Sequence, residues 1–145
     1  MRTTGSVTRI IAAPPHVVWG LVTDIARMGE WSPECVGGAW LDDAVAPVIG
    51  AKFLGRNQRG EQSWEVPCEV TEAEPMQAFA FHTGLVTWRY AFEAAPDGAS
   101  CTVTETFNAP VLGQAELPDF IPPGRDDMLD SFMSTTLERL AAVAD

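Results

Sequence analysis

The sequence is poor in positive charge. Nine Lys and Arg residues stand against 20 Asp and Glu residues, which gives a formal net charge of −11. A surface this acidic repels phosphate groups, so nucleic acid is not expected as a partner and insertion into an anionic membrane is not expected either. The acidic residues are scattered along the chain, which does not indicate a charge-driven partner.

Cysteine and histidine are also scarce. The three cysteines, Cys35, Cys68 and Cys101, have spacings that match no metal or redox motif. We predict three reduced thiols in or near the core, as suits a reducing, cytoplasmic location. His16 and His82 are far apart, lie near no Cys or Asp cluster and are predicted to be exposed, so neither a metal site nor a cofactor is expected.

Several catalytic and targeting motifs are missing from the sequence. There is no G-x-S-x-G elbow and no glycine-rich loop before a helix, so covalent catalysis and phosphate binding are not indicated, and no catalytic residue is assigned. No run approaches the ~20 apolar residues of a membrane-spanning helix. The first residues lack the apolar core of a signal peptide, and no repeat is evident.

What the sequence does contain is enough apolar material for a core. Its 145 residues, 46% of them apolar, predict one domain over residues 1–145. A β-rich segment, "SVTRIIAA", ends at Pro14 and Pro15. Proline suits a first helical turn, so "PPHVVWGLVTD" predicts a short helix, and Asp24 is predicted to cap a second one, "IARMGEW".

From "ECVGGAWL" onward the apolar period changes from helical to two. Six strand-like segments follow, joined by short turns such as "RGE", "TG" and "PDG". Successive hairpins make an antiparallel sheet, so with the helices the predicted class is α+β with about seven strands. Alternation predicts these inward residues on the later strands: Trp64, Val66, Cys68, Val70, Phe79, Phe81, Trp88, Tyr90, Phe92, Val103, Glu105 and Phe107.

The C-terminal part divides into a proline-rich segment and a helix. Residues 109–124 contain four prolines and several apolar side chains, and they are either a cover over an opening or a loop that packs on the core. From Arg125 the period is helical. The predicted buried face consists of Leu129, Phe132, Met133, Thr136, Leu137, Leu140 and Val143.

One helix cannot fill the concave side of a curled seven-stranded sheet. We therefore consider two alternatives, a cavity with an aromatic lining, which is the usual composition of a small-molecule site, and a solid core without a ligand.

The chain resembles the helix-grip superfamily of START, Bet v 1 and polyketide cyclase domains. Within it, the chain is similar to bacterial members described as polyketide cyclase/dehydrase or lipid-transport proteins. The matching segments include "IAAPPHVVWGLVTD" with "EWSPE", "GAKFLGRNQRGEQSW", "TWRYAFE…DG", "VTETF" and "STTLERLAA", in family order over nearly the full length. The resemblance implies an apolar cavity between the sheet and the long C-terminal helix, but it carries over no catalytic residue.

Glu105 is the exception on the apolar face of its strand. Three interpretations remain open: a solvated rim residue, a buried residue paired with Arg56, Arg59 or the Tyr90 hydroxyl, or a group that hydrogen-bonds a ligand or exchanges a proton with it. Asn57 is a second polar candidate, since it shares parity with Phe53. The predicted ligand-binding residues are Phe53, Asn57, Trp64, Phe79, Phe81, Trp88, Tyr90, Glu105, Phe132 and Met133.

Three functions are consistent with these patterns. The first is a binding or transport protein for a small apolar molecule with one polar end. The second is a cyclase or dehydratase that uses the same polar residues as acid or base, and the third is a protein-interaction module with a vestigial pocket. A small apolar molecule is the expected partner, and a homodimer is left open.

Overall fold

The computed structural model describes residues 1–144, and one antiparallel sheet dominates it. The sheet has seven strands in the order β1-β7-β6-β5-β4-β3-β2. The strands are β1 Thr4–Ile11, β2 Cys35–Trp40, β3 Lys52–Arg59, β4 Gln62–Glu74, β5 Ala78–His82, β6 Thr87–Ala94 and β7 Cys101–Asn108. Each of β2 to β6 pairs with the next strand in the chain, and β1 pairs with β7. The predicted α+β helix-grip fold and its seven strands are confirmed.

Turn chemistry explains the hairpins. The glycines of the three predicted turns, Gly60, Gly84 and Gly98, have φ of 62°, 95° and 71°, a conformation that favours glycine. In the last of these turns, an Asp97 oxygen accepts a hydrogen bond from the Ala99 N–H at 3.0 Å. The paired glycines of β2 mark a bulge, because the register with β3 shifts between Cys35 and Gly37.

Two short helices cross from the β1 edge of the sheet to the β2 edge. Helix α1 (Pro15–Val22) begins with proline, as predicted. The second is a 3₁₀ helix, Ile25–Glu30, and the predicted Asp24 side-chain cap is wrong. Its first turn is closed by the backbone instead, because the Arg27 N–H donates to the Asp24 carbonyl at 3.0 Å.

Helix α2 (Arg125–Ala144) lies against the sheet along its 20 residues, about 30 Å. Most of its predicted face is buried, but Val143 is 43% exposed and Ala141 is buried instead. At about 100° per residue, Val143 lies about 80° round the helix from Met133, at the edge of the buried stripe. Asp126 lies within about 20° of Met133 by the same count, and it is indeed buried.

The apolar core is concentrated at one end of the sheet. The larger cluster joins α1, the C-terminal half of α2 and the aromatic side chains of β5 and β6, including Phe79, Phe81 and Phe92. A smaller cluster beneath the first half of α2 contains Phe107, Leu129 and Met133. All three cysteines are buried and free, as predicted.

Candidate functional site

Glu105 is buried on β7, the strand next to the β1 edge of the sheet. It lies on β7 directly between Val7 of β1 and Tyr90 of β6 in the strand register. Only 3% of the residue is exposed, so the interpretation of Glu105 as a solvated rim residue is wrong. Neither arginine considered in the sequence neutralises it: Arg56 is exposed, and the Arg59 guanidinium lies over the Trp64 ring at 5.6 Å.

Burial makes this carboxyl a weak acid. Desolvation raises the pKa of Glu105 to about 8, and a hydrogen bond from the Tyr90 hydroxyl only partly opposes that rise. Burial, together with the adjacent carboxyl, also raises the pKa of Tyr90 well above its usual value. One carboxyl oxygen, Oε2, is buried and has no hydrogen-bond partner among residues 1–144.

The Glu105 carboxyl borders a small cavity of about 90 Å³, which we call the inner chamber. The residues that line it are Met28, Ser32, Glu34, Cys35, Phe53, Gly55, Asn57, Val66, Cys68, Phe81, Thr83, Trp88, Tyr90, Glu105, Phe132 and Thr136. Burial raises the pKa of both the Cys35 and the Cys68 thiol, that of Cys68 to about 12, so neither is a ready nucleophile.

A larger cavity of about 800 Å³, the outer chamber, adjoins the inner one. Its size lies in the range of small-molecule sites, roughly 300–1,000 Å³. The two chambers share the lining residues Glu34, Asn57, Val66, Thr83 and Trp88. The remaining residues of the outer chamber are Arg59, Glu61, Gln62, Ser63, Trp64, Leu85, Val86, Ala109, Val111, Leu112, Phe120, Ile121, Arg125 and Leu129.

Unequal strand lengths create this space. Strand β4 has 13 residues, whereas β5 has five, and their pairing begins only at Glu69 and His82. The first part of β4 therefore extends past β5, with Trp64 and Val66 on its cavity side. Pro67 lies in the same extension, where no β5 residue opposes it, which accounts for a proline within the strand.

The segment 109–124 forms another wall of the outer chamber. A 3₁₀ helix, Pro110–Gly113, buries Leu112 against the smaller core cluster. Val111, Leu112, Phe120 and Ile121 all line the outer chamber. The segment thus packs on the core, which is one of the two alternatives considered in the sequence, and it also borders the cavity.

A charged pair lies where the two chambers meet. Arg125 at the start of α2 donates two hydrogen bonds to the Glu34 carboxylate, at 2.7 and 2.9 Å. Both side chains are largely shielded, with 16% and 13% of their surface exposed. The same guanidinium lies 5.6 Å from the centre of the Phe132 ring. The pair thereby joins the segment before β2 to the cavity face of α2.

Eight of the ten predicted site residues border the two chambers. They are Phe53, Asn57, Trp64, Phe81, Trp88, Tyr90, Glu105 and Phe132. Phe79 and Met133 lie in the packed core and are not among the lining residues.

Sequence reasoning missed Glu34, Arg125 and Thr136 as cavity residues. The cavity face of α2 could have been predicted from helical periodicity, because it consists of Arg125, Leu129, Phe132 and Thr136, which follow helical spacing. The pairing of Arg125 with Glu34, 91 positions away, had no local signal.

Two classes of site are not found in the described part of the chain. Residues 1–144 contain no group of three or more His, Cys, Asp or Glu side chains that could hold a metal ion. No helix among them is both long and apolar enough to cross a membrane.

The sheet, the long helix and the cavity between them define the molecule as a helix-grip protein with an internal cavity. The chain belongs to the family described as polyketide cyclase / dehydrase and lipid transport, whose model matches residues 2–145. No match is found among the curated proteins.

Solved structures agree with this assignment. A Polyketide_cyc-like protein from Corynebacterium glutamicum is 36% identical, with a TM-score of 0.57 over 97% of this chain and 82% of that one. A protein from Chromobacterium violaceum is 17% identical and has a TM-score of 0.71, with 99% and 98% covered. The di-domain ARO/CYC BexL of the BE-7585A biosynthetic pathway is 15% identical, with a TM-score of 0.72 over 98% of this chain and 46% of that one. The last two likenesses concern the fold alone.

Proposed function

We propose that the protein binds one small, mostly apolar molecule, whose body occupies the outer chamber and whose polar end enters the inner one. The observation that carries this proposal is the pair of adjoining chambers, the larger of about 800 Å³ with aromatic walls and the smaller ending at an unpartnered carboxyl oxygen. Apolar walls supply affinity, and a few polar groups fix orientation, as in most small-molecule sites.

Family membership supports the same proposal. The family description combines polyketide cyclases and dehydrases with lipid transport, so hydrophobic ligands are common to it. A cavity of this size also makes the interaction-module alternative less attractive, because a vestigial pocket would be expected to have filled with side chains.

Binding of an apolar fluorescent probe tests the proposal. We expect one site per chain and displacement by aromatic polyketide-like compounds. Truncation of a cavity wall in Trp64→Ala or Trp88→Ala should weaken binding roughly tenfold, because each change removes a large aromatic contact surface. Trp40 packs edge-on against Phe53 and lines neither chamber, so Trp40→Ala is the matched control. A folded wild type that takes up no apolar probe would overturn the proposal.

A second function, acid–base catalysis on the bound molecule, is favoured by one observation. The pKa of Glu105, about 8, lies close to neutral pH, where a general acid or base is most effective. Glu105→Gln distinguishes the two functions, since it preserves shape but removes the exchangeable proton. A catalyst should lose about 10²–10⁴-fold in rate, whereas a carrier should keep its ligand affinity.

A further inference from the structure

The polar end of the inner chamber restricts which chemical group of a ligand can bind there. The Glu105 carboxyl lines the chamber that a ligand would enter, and its buried Oε2 atom has no hydrogen-bond partner among residues 1–144. The Tyr90 hydroxyl is the neighbouring polar group in the same lining. A buried polar atom without a partner costs free energy, so a ligand that satisfies it gains affinity.

The charges around the inner chamber are unfavourable for an anion. Its ionisable lining residues are Glu34, Cys35, Cys68, Tyr90 and Glu105, all of which are neutral or negative. Val7, which opposes Glu105 on β1, is uncharged, and so are Phe132 and Thr136, with which α2 lines the chamber. The Arg125 guanidinium, which lines the outer chamber, already donates to both oxygens of Glu34.

The protonation state of Glu105 determines whether its carboxyl can donate a hydrogen bond to a ligand. Burial favours the neutral carboxyl at neutral pH. A neutral carboxyl carries one proton, so Glu105 supplies an O–H donor to the chamber that it lines. A donor in a chamber of about 90 Å³ suits a compact acceptor such as a carbonyl group.

We propose that Glu105 acts as a neutral hydrogen-bond donor, so that the inner chamber selects ligands ending in an uncharged carbonyl group and rejects free carboxylates. This inference rests on the proposed binding function and names the ligand class: flat apolar ketones rather than fatty-acid-type anions. A carboxylate in the same place would lose its hydration without meeting a cation.

A matched pair of probes tests this selectivity. 2-Acetylnaphthalene and 2-naphthoate have nearly the same shape and differ in the charge of the end group. At pH 6.5 we expect the wild type to bind the ketone at least tenfold more tightly, measured by displacement of the apolar fluorescent probe. Equal affinities, or tighter binding of the naphthoate, would overturn the inference.

Two substitutions of Glu105 identify the donor. Glu105→Gln retains an N–H donor, so its ketone affinity should stay within about threefold of the wild type, whereas Glu105→Leu should bind the ketone at least fivefold more weakly. Glu138→Gln, on the exposed side of α2, is the control and should change neither affinity. If Glu105→Leu binds the ketone as the wild type does, Glu105 is not the donor.

Raising the pH gives an independent readout. Between pH 6.5 and 9.5 the wild type should lose ketone affinity as Glu105 ionises, while Glu105→Gln should show no such loss. Tyr90 and Cys68 ionise above this range, because burial raises the pKa of both groups. A wild-type affinity that does not change with pH would overturn the inference. Failure of both naphthalenes to bind while the fluorescent probe binds overturns the inference alone, whereas failure of every probe overturns the proposed function as well.

Discussion

Glu105 makes the stability of the protein depend on pH, because its carboxyl is buried beside the cavity. The folded protein holds this carboxyl neutral up to about pH 8, whereas the unfolded chain releases the proton near 4.5. Between these values the folded state binds more protons than the unfolded state, so stability falls as pH rises. Below about pH 4.5 the burial of Glu105 carries no ionisation penalty.

The residue-scale prediction follows from this linkage. From pH 5 to pH 8 the unfolding free energy of the wild type should fall by about 3–5 kcal/mol more than that of Glu105→Gln. Urea unfolding at several pH values measures both slopes, and titrations common to the two proteins cancel in the comparison. Parallel slopes would mean that Glu105 ionises normally in the folded state.

Strand parity was sufficient to predict that Glu105 faces inward beside Val103 and Phe107. It could not distinguish a buried position from a solvated rim, because that difference depends on the neighbouring strands, Val7 on one side and Tyr90 on the other. The burial of Glu105 is therefore a consequence of sheet order, which no local pattern contains.

At the scale of elements, the Glu34–Arg125 ion pair links the first turn of α2 to the segment before β2. Because both side chains are largely shielded, Glu34→Gln should cost about 1–2 kcal/mol of unfolding free energy, between the values typical of exposed and buried pairs. Urea unfolding measures the loss.

The Arg27–Glu30 pair is the matched control. It has similar contact geometry at 2.7 Å, but 40% and 50% of its side-chain surface is exposed. Glu30→Gln should therefore change stability by less than about 0.5 kcal/mol. Equal losses from the two substitutions would show that shielding of the Glu34–Arg125 pair adds nothing to its strength.

Helix α2 provides a second prediction at this scale. Leu137 is 1% exposed between the helix and the sheet, so Leu137→Asp should cost several kcal/mol, a large part of the stability of a small domain. Glu138→Gln on the exposed side should be nearly neutral. Thermal melting or solubility of the two variants compares them, and similar behaviour would contradict the assigned helix face.

The elements themselves were largely readable from the sequence, because each hairpin turn and the period of α2 are local signals. The predicted Asp24 side-chain cap failed, since a six-residue 3₁₀ helix closes its turn through the backbone instead. The predicted burial of Val143 was wrong because this residue lies at the edge of the buried stripe, where helical periodicity alone does not determine burial.

At the scale of the whole molecule, the central feature is an unfilled volume on the concave side of the sheet. The sequence predicted its aromatic lining, but it left a cavity and a solid core as alternatives. The volume itself arises from long-range geometry: β4 extends past β5, and residues 109–124 contribute to the same lining as Trp64 and Trp88.

A cavity-filling substitution tests this account most directly. Val66 lines both chambers, and Val66→Trp places a large side chain at their junction. In a well-packed core such a change would cost about 1–3 kcal/mol through overpacking, whereas a real cavity has room for it. Val36→Trp, on an exposed position of β2, controls for the added tryptophan.

The decisive measurement is thermal melting of Val66→Trp together with titration of the apolar fluorescent probe. We predict a melting temperature equal to or above that of the wild type, loss of probe binding in Val66→Trp, and unchanged binding in Val36→Trp. A lowered melting temperature with undiminished probe binding would contradict the two-chamber cavity as the binding site.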